Sequence, residues 1–382
     1  MALRGRGVAA LSLGGSLIER FPGPVSALVL CGIVAACLWP FRAPANRVAW
    51  LAGENGLQFD YPGTIVSKGE FQPVGSAPSC SIELWVQPAL REAWGTLLAF
   101  DAHRGGVPFA LEQSESDLRV RSDVDLGRGR TRNRSLYLQN VFRSLRPLFI
   151  TFSSGPQGSA IYVDGVLANA SRGYRPAAAD CAGLLVAGTS PTENEAWAGR
   201  LRGLAIYHDE LAAAQVRRHY ESWTARGRPD LAKQERCAAV YLFDEHGGAL
   251  VHNRTGPGPD LLIPPKYRIE YQAFLMPFWK EFDLPDILRN IAGFIPFGFF
   301  FYAYLSSKPS AGRTMLKVVV VGALVSFIME ILQAYLPTRQ SDTMDIITNT
   351  FGSWLGSMLY CLLAARGLFR GDPYRPAAHR DP

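Results

Sequence analysis

The chain has 382 residues, 48% of them hydrophobic and 19% charged, against the roughly 25% charge usual in a soluble chain. That balance excludes a disordered polymer, the aperiodic Gly and Pro exclude a fibrous repeat, and a mean hydropathy of +0.04 is too polar for a chain that is membrane throughout. The net charge of +6 is scattered instead of forming one basic stripe, so nucleic acid is not an expected partner.

Residues 1–20 read as a basic tail carrying Arg4, Arg6 and Arg20. The first apolar run, Phe21 to Phe41, follows as a transmembrane helix over 21–41, with Pro22 and Pro24 tolerated at its start. Two rivals stay open for this run: a signal peptide cleaved at Ala43-Pro44-Ala45, and a lipoprotein-like Val34-Ala35-Ala36-Cys37. The closing Trp39-Pro40-Phe41 favours a retained helix.

From 47 to 225 the pattern changes to short alternating runs divided by Gly, Pro, Asp and Asn, the signature of an all-β jelly-roll sandwich. Ser81-Ile82-Glu83-Leu84-Trp85-Val86 alternates as a half-buried strand does. Leu148 to Phe152 is continuously apolar, as in a sandwich core, and Ile161-Tyr162-Val163-Asp164-Gly165 is a hairpin whose turn needs positive φ. Trp197 to Tyr207 gives a further strand before a short helix opened by Asp209-Glu210-Leu211. These segments resemble the laminin-G-like, concanavalin-type fold, whose members bind glycans or proteins and in some cases hydrolyse polysaccharides. Hydrolysis needs two facing carboxylates. Glu112, Glu115 and Asp117 come nearest and read better as a solvated charged loop. Asp101, Asp123 and Asp125 could offer oxygens to calcium, but neither metal nor cofactor is expected.

Cys31, Cys37 and Cys361 lie in apolar runs and read as inert small residues. Cys80, Cys181 and Cys237 fall in the exterior segment, where disulfides persist. Cys80 with Cys181 is the favoured pair, and Cys181 with Cys237 stays open. Residues 226–286 read as a linker with one strand, Ala238 to Asp244, and an interfacial aromatic stretch from Phe274 to Phe282.

Three further runs over 287–366, Ile287 to Leu305, Met315 to Leu336 and Ile346 to Ala365, complete an all-α bundle of about four helices, followed by a basic tail at 367–382. The clusters Lys308, Arg313, Lys317 and Arg366, Arg370, Arg375, Arg380 place both termini in the cytoplasm and residues 42–286 outside, in a multi-pass inner-membrane topology. Polar residues gather at the exterior ends. Asn290 lies at the start of the second run beside Asp286 and Arg289; Glu330 and Gln333 are three apart near the end of the third. Asp342, Asp345 and Asn349 share one face at the start of the fourth, and Arg339 lies between. Charges at membrane depth point inward, paired or lining a cavity, so this set is a candidate ligand site, with a purely structural pairing of Arg339 and the aspartates as the rival.

The stretches Asn290-Ile291-Ala292-Gly293-Phe294-Ile295-Pro296-Phe297-Gly298, Glu330-Ile331-Leu332-Gln333, Arg339-Gln340-Ser341-Asp342-Thr343-Met344-Asp345 and Asn349-Thr350-Phe351-Gly352 resemble the VanZ-like membrane family, over Asp283 to about Arg366. The resemblance implies an envelope protein of the kind associated with glycopeptide (teicoplanin) resistance, with the sandwich inserted in its first exterior loop. The leading expectation is a bundle that binds a lipid or envelope-precursor head group beside a domain that recognises glycan or protein. The alternatives are an enzyme on a lipid-linked substrate, with Glu330 or Asp345 as acid/base and Arg339 on a phosphate, and a scaffold. No catalytic residue and no oligomeric state is assigned.

Overall fold

A computed structural model of the chain describes residues 21–72, 79–101, 109–125, 131–191, 195–233, 235–267, 274–275, 284–306, 313–336, 339 and 341–366. The basic N-terminal and C-terminal tails, Lys308 and most of the aromatic stretch after Phe274 lie outside these residues. The chain divides into two compact units, Ala43–Gln272 and the pair of segments Met1–Arg42 and Ala273–Pro382.

The first unit is a sandwich of two eight-stranded sheets. One runs β1 (Val48–Trp50), β2 (Leu57–Phe59), β13 (Gly199–Tyr207), β4 (Cys80–Pro88), β9 (Leu148–Gly155), β10 (Gly158–Val163), β11 (Val166–Ser171), with β14 (Cys237–Tyr241) also paired to β13. The other runs β15 (Leu250–Val251), β16 (Leu261–Leu262), β3 (Ile65–Phe71), β12 (Gly183–Ala187), β5 (Ala93–Asp101), β6 (Phe109–Glu115), β7 (Asp117–Asp125), β8 (Thr131–Leu138). Strand pairing along both sheets is antiparallel.

The period of two along each strand sends Ile82, Leu84 and Val86 of β4, with Leu148, Ile150 and Phe152 of β9, into the main core between the sheets. There Phe109 meets Phe152 at a ring-centroid distance of 5.2 Å. The alternate positions, Phe149 of β9 and Tyr207 of β13, form a second core under α2 (Ala213–Arg226), whose Val216 and Trp223 cover that face. This is why Leu148 to Phe152 is apolar without alternation: both faces of β9 are buried, as its uninterrupted burial confirms. The Asp164-Gly165 hairpin joins β10 to β11 with φ of 53° and 76°, the left-handed pair that a two-residue turn between twisted strands needs.

The expected linker is more structured than its sequence suggested. Besides β14 on the edge of β13, residues 250–262 add β15 and β16 to the other sheet. Two-residue strands are too short to show a period, so nothing in the residue pattern marked them. The helix after β13 also starts later than expected, at Ala213, with the Ala212 N–H bonded to Gln215 Oε1 at 2.9 Å.

The second unit contains α1 (Pro22–Leu38), α3 (Leu284–Ser306), α4 (Thr314–Gln333) and α5 (Thr343–Ala365). Among the described residues three helices, α3, α4 and α5, are long and apolar enough to cross a membrane. Helix α1 has 17 residues, about 26 Å at 1.5 Å per residue, a little short of a hydrocarbon core of about 30 Å. It stops before Phe41 because Trp39 precedes Pro40 and takes an extended conformation, ψ 131°. Its Val29, Leu30, Ile33 and Val34 nevertheless pack on the bundle core of Phe294, Phe297, Val318 and Met329, and the Ser26 hydroxyl donates to Phe300 O at 2.8 Å.

Helices α3 and α5 touch backbone to backbone. A Cβ at Gly298 would collide with Ser353 O, one at Gly352 with Ile291 O and one at Gly356 with Ile295 O. Small residues at such a seam let dispersion contacts replace the hydrophobic drive that lipid does not supply.

Candidate functional site: the polar end of the bundle

Four helix ends meet at one end of the bundle: the last turns of α1 and α4 and the first turns of α3 and α5. Asp342 caps α5, its carboxylate accepting from Met344 N at 2.9 Å. The Asp342 backbone N–H donates to Glu330 Oε2 at 2.8 Å, so the carboxylate near the end of α4 is held by the start of α5. Ser341, fully buried, also hydrogen-bonds Glu330.

Asn290 on α3 donates to Asp345 Oδ1 at 2.8 Å and approaches Asp286 at 3.5 Å. Asp286 in turn pairs with Arg289 at 3.4 Å. One turn along α5 from Asp345, Asn349 donates to Ser326 Oγ at 2.9 Å, and that hydroxyl lies 3.5 Å from Asp345 O. The other half of the amide, Asn349 Oδ1, has no hydrogen-bond partner among the described residues, although Asn349 is only 4% exposed.

Gln333 and Arg339 face α1. Gln333 Nε2 donates to Cys37 O at 3.2 Å, and the Arg339 guanidinium donates to Trp39 O at 3.0 Å and Ala36 O at 3.5 Å. The last carbonyls of a helix lack intrahelical donors and carry partial negative charge, so these two side chains close the end of α1. All seven residues of the candidate set thus gather at this end, in two groups. Glu330, Asp342, Asp345, Asn290 and Asn349 knit α3, α4 and α5, while Gln333 and Arg339 bind α1.

A second buried charged network, in the sandwich, was not singled out in the sequence. Glu83 of β4 and His219 of α2 are both fully buried. Glu83 Oε1 lies 2.9 Å from His219 Nδ1, and its Oε2 accepts from Tyr207 OH at 2.7 Å and Trp223 Nε1 at 3.2 Å. His219 Nε2 lies 3.2 Å from Glu235 Oε2, and Glu235 also receives Arg218, Gln215 at 2.8 Å and Ala232 N at 2.9 Å. Burial works against a charged imidazole, but the hydrogen bond and charge of Glu83, then Glu235, outweigh it and hold His219 above its usual range. Burial and the adjacent Glu83 push the Tyr207 phenol far up. The signal was present: Glu83 is a charge inside an apolar strand, and His219 sits in the stripe Val216, His219, Trp223 at helical spacing.

The other candidates resolve simply. Glu112 is buried and paired with Arg121 at 3.0 Å and Arg119 at 3.6 Å, so the charged-loop expectation is corrected at this residue: β6 and β7 alternation stacks these three on one sheet face. Asp101 is buried, whereas the side chains of Asp123 and Asp125 lie outside the described set. The Cys80 and Cys181 sulfurs, both in the main core, are 2.6 Å apart. Cys237 contacts Ile206 O and Ala239 O instead, and burial pushes its thiol up to about 12.

Two family models match the chain: VanZ/LLP1 over residues 239–364, and the concanavalin A-like lectin/glucanases superfamily over residues 66–217. The first match begins inside β14, well before Asp283, and so takes in sandwich strands as well as α3 to α5. No curated protein matches the chain. Among solved structures it is similar to a Bacteroides ovatus protein assigned to carbohydrate binding, at 14% identity over 56% of this chain and 59% of that one, TM-score 0.38. A heptameric pentraxin of Limulus polyphemus shows 12% identity over 59% and 94% of the two chains, TM-score 0.35. The binding domain of botulinum neurotoxin serotype D shows 16% over 50% and 49%, TM-score 0.34. The chain spans about three-fifths of the first of these. The family matches, the sandwich and the apolar helices agree: the chain carries a VanZ-like region over residues 239–364, which holds the helices long enough to cross a membrane, and a concanavalin A-like, laminin-G-like domain over residues 66–217.

Proposed function

We propose that this protein acts in the cell envelope, where the polar end of its bundle binds the head group of a lipid or lipid-linked envelope precursor. The observation that carries this reading is the convergence of Glu330, Asp342, Asp345, Asn290 and Asn349 at one end of an apolar bundle, with a buried acceptor, Asn349 Oδ1, left over. Ionisable groups at membrane depth are costly and are retained where they meet a ligand or one another. The chain leaves the bundle after α1 and returns before α3, at this same end. On the topology read from the basic clusters, this end and the sandwich face the exterior of the inner membrane. The lectin superfamily match supports a glycan or protein partner for the sandwich.

A scaffold role has its own support, since Gln333 and Arg339 tie α1 to the bundle. The enzyme reading is weaker. An arginine directed at helix carbonyls is not directed at a phosphate.

Lipid mass spectrometry of the detergent-purified full chain tests the binding reading. Wild type should retain a lipid that a Glu330→Gln/Asp345→Asn variant of equal thermal stability releases; equal retention by the two overturns it. For the side of the membrane, an exterior sandwich predicts that Cys80 and Cys181 are joined and resist alkylation without reductant, while Cys237 stays reduced. Full alkylation of Cys80 and Cys181 on denaturation without reductant would place them in a reducing compartment.

A further inference from the structure

The polar end is rich in acceptors. Glu330, Asp342, Asp345 and Asp286 supply carboxylates, and Asn349 adds an amide oxygen that is buried and unsatisfied. Among the described residues the donors that face them are spoken for: the Asp342 N–H and Ser341 bind Glu330, and Asn290 binds Asp345. The nearby arginines are directed elsewhere as well, Arg339 to the α1 carbonyls and Arg289 to Asp286 at the exposed start of α3. A phosphate would be repelled by carboxylates brought this close at low dielectric. A bound cation would be favoured by the same arrangement.

Two kinds of cation could answer. Among the described residues no group of three or more His, Cys, Asp or Glu side chains is arranged to hold a metal ion. An ammonium asks for less compact geometry, since its N–H groups diverge and each takes one acceptor. Carboxylates of two helices with a spare amide oxygen one turn along α5 from Asp345 offer that.

We propose that the polar end of the bundle recognises a primary ammonium group on an amphiphile, with Glu330 and Asp345 as its charge partners and Asn349 Oδ1 as a neutral acceptor. The inference rests on the head-group reading and narrows it to one chemical class. The ammonium could be part of a phospholipid head group or be presented from the aqueous side by an amino sugar or amino acid of an envelope precursor.

The full chain in lipid nanodiscs distinguishes these. Discs of phosphatidylglycerol are prepared with a minor share of either phosphatidylethanolamine or N-acetyl-phosphatidylethanolamine, which keeps the phosphate and removes the cation. Native mass spectrometry then reads the lipid that stays bound. Phosphatidylethanolamine should be enriched about tenfold over the N-acetyl lipid, the ratio that one modest charge contact supplies. The preference should vanish in Glu330→Gln/Asp345→Asn and fall in Asn349→Leu. A second arm adds glucosamine or N-acetylglucosamine in solution; displacement of bound lipid by glucosamine alone points to the aqueous source. Equal retention of the two lipids by wild type, with no effect of glucosamine, overturns the ammonium assignment whether or not the variants fold. If that equal retention still depends on Glu330 and Asp345, the head-group reading survives and only its chemistry changes. If retention does not depend on them, both fail.

Discussion

Two buried polar networks, built from similar residues, sit in opposite states of completion. In the sandwich, Glu83 accepts from Tyr207 and Trp223 and meets His219, which in turn meets Glu235 and, through it, Arg218 and Gln215. Each carboxylate there has donors on several sides, so the network pins α2 to the sheet and has nothing left to offer a ligand. At the end of the bundle, among the described residues, carboxylates outnumber the cations directed at them and an amide oxygen is left without a donor. Buried charge alone does not mark a site; unmatched hydrogen-bonding capacity does.

The comparison breaks first at Glu83. Glu83→Ala strands His219, Tyr207 and Trp223 without their acceptor, and breaking a buried pair by removing one partner costs about 3–5 kcal/mol. For a unit of this size that is a fall in Tm of about 6–20 degrees, read by circular dichroism in the β-sheet band. Glu83→Gln keeps an acceptor and should lose clearly less. A Glu83→Ala protein as stable as wild type would mean that the network does not hold the helix.

The bundle seam comes next. Gly356→Val places a branched side chain against Ile295 O and the α3 backbone, where overpacking costs about 1–3 kcal/mol. The helices should separate enough to lower the Tm of the membrane unit and weaken every bond between α3 and α5, including Asn290 to Asp345. The same change at Gly293, whose added Cβ meets nothing within 4 Å, should be tolerated. Equal effects at the two glycines would remove the close-contact account.

Much of this was legible in the residues. Alternation in β4, the Asp164-Gly165 turn, the apolar runs and the i, i+3 and i+7 spacing of Asp342, Asp345 and Asn349 are local signals, and each led to the element or face observed. What was illegible depended on partners far apart in sequence. Glu83 and His219 lie 136 positions apart and become a pair only when α2 folds over the outward face of β4. Arg339 faces carbonyls about 300 positions away, and a carbonyl has no residue identity by which to announce itself. Strands β15 and β16 are defined by the edge they join, not by their own composition.

Arg339 sharpens the contrast between a clasp and a site. A hydrogen bond to a carbonyl contributes about 0.5–1.5 kcal/mol, somewhat more from a charged donor, so Arg339→Ala should cost about 1–2 kcal/mol through a loosened α1. Arg339→Lys retains a donor and positive charge and should recover part of that. Lipid retention by Arg339→Ala should change less than by Glu330→Gln/Asp345→Asn, because the arginine serves α1 and the carboxylates serve the ligand. A larger loss of lipid from the arginine variant would reverse those roles and revive a phosphate clamp.

The smallest effect is a dependence on pH in the sandwich. His219 faces Glu83 from β4, Glu235 from the segment before β14, Arg218 from its own helix and Tyr207 from β13. Its folded pKa is raised, so its contribution is complete below the ordinary histidine value of about 6.5 and is lost as pH rises through the folded value. Glu235 is shifted the other way: burial opposes its charge, but the donors from Gln215 and Ala232 N and the charges of His219 and Arg218 outweigh that and lower its pKa. Its contribution is complete above the ordinary glutamate value of about 4.3 and is lost as pH falls through the folded value. Stability of the sheet signal should therefore form a plateau between those two ordinary values and decline on both sides. His219→Gln, which cannot titrate, should start from a lower Tm, lose the decline on the alkaline side and keep one on the acid side. If the alkaline decline is the same in the variant, the imidazolium is not its source, and the buried tyrosine and cysteine beside it become the groups to replace.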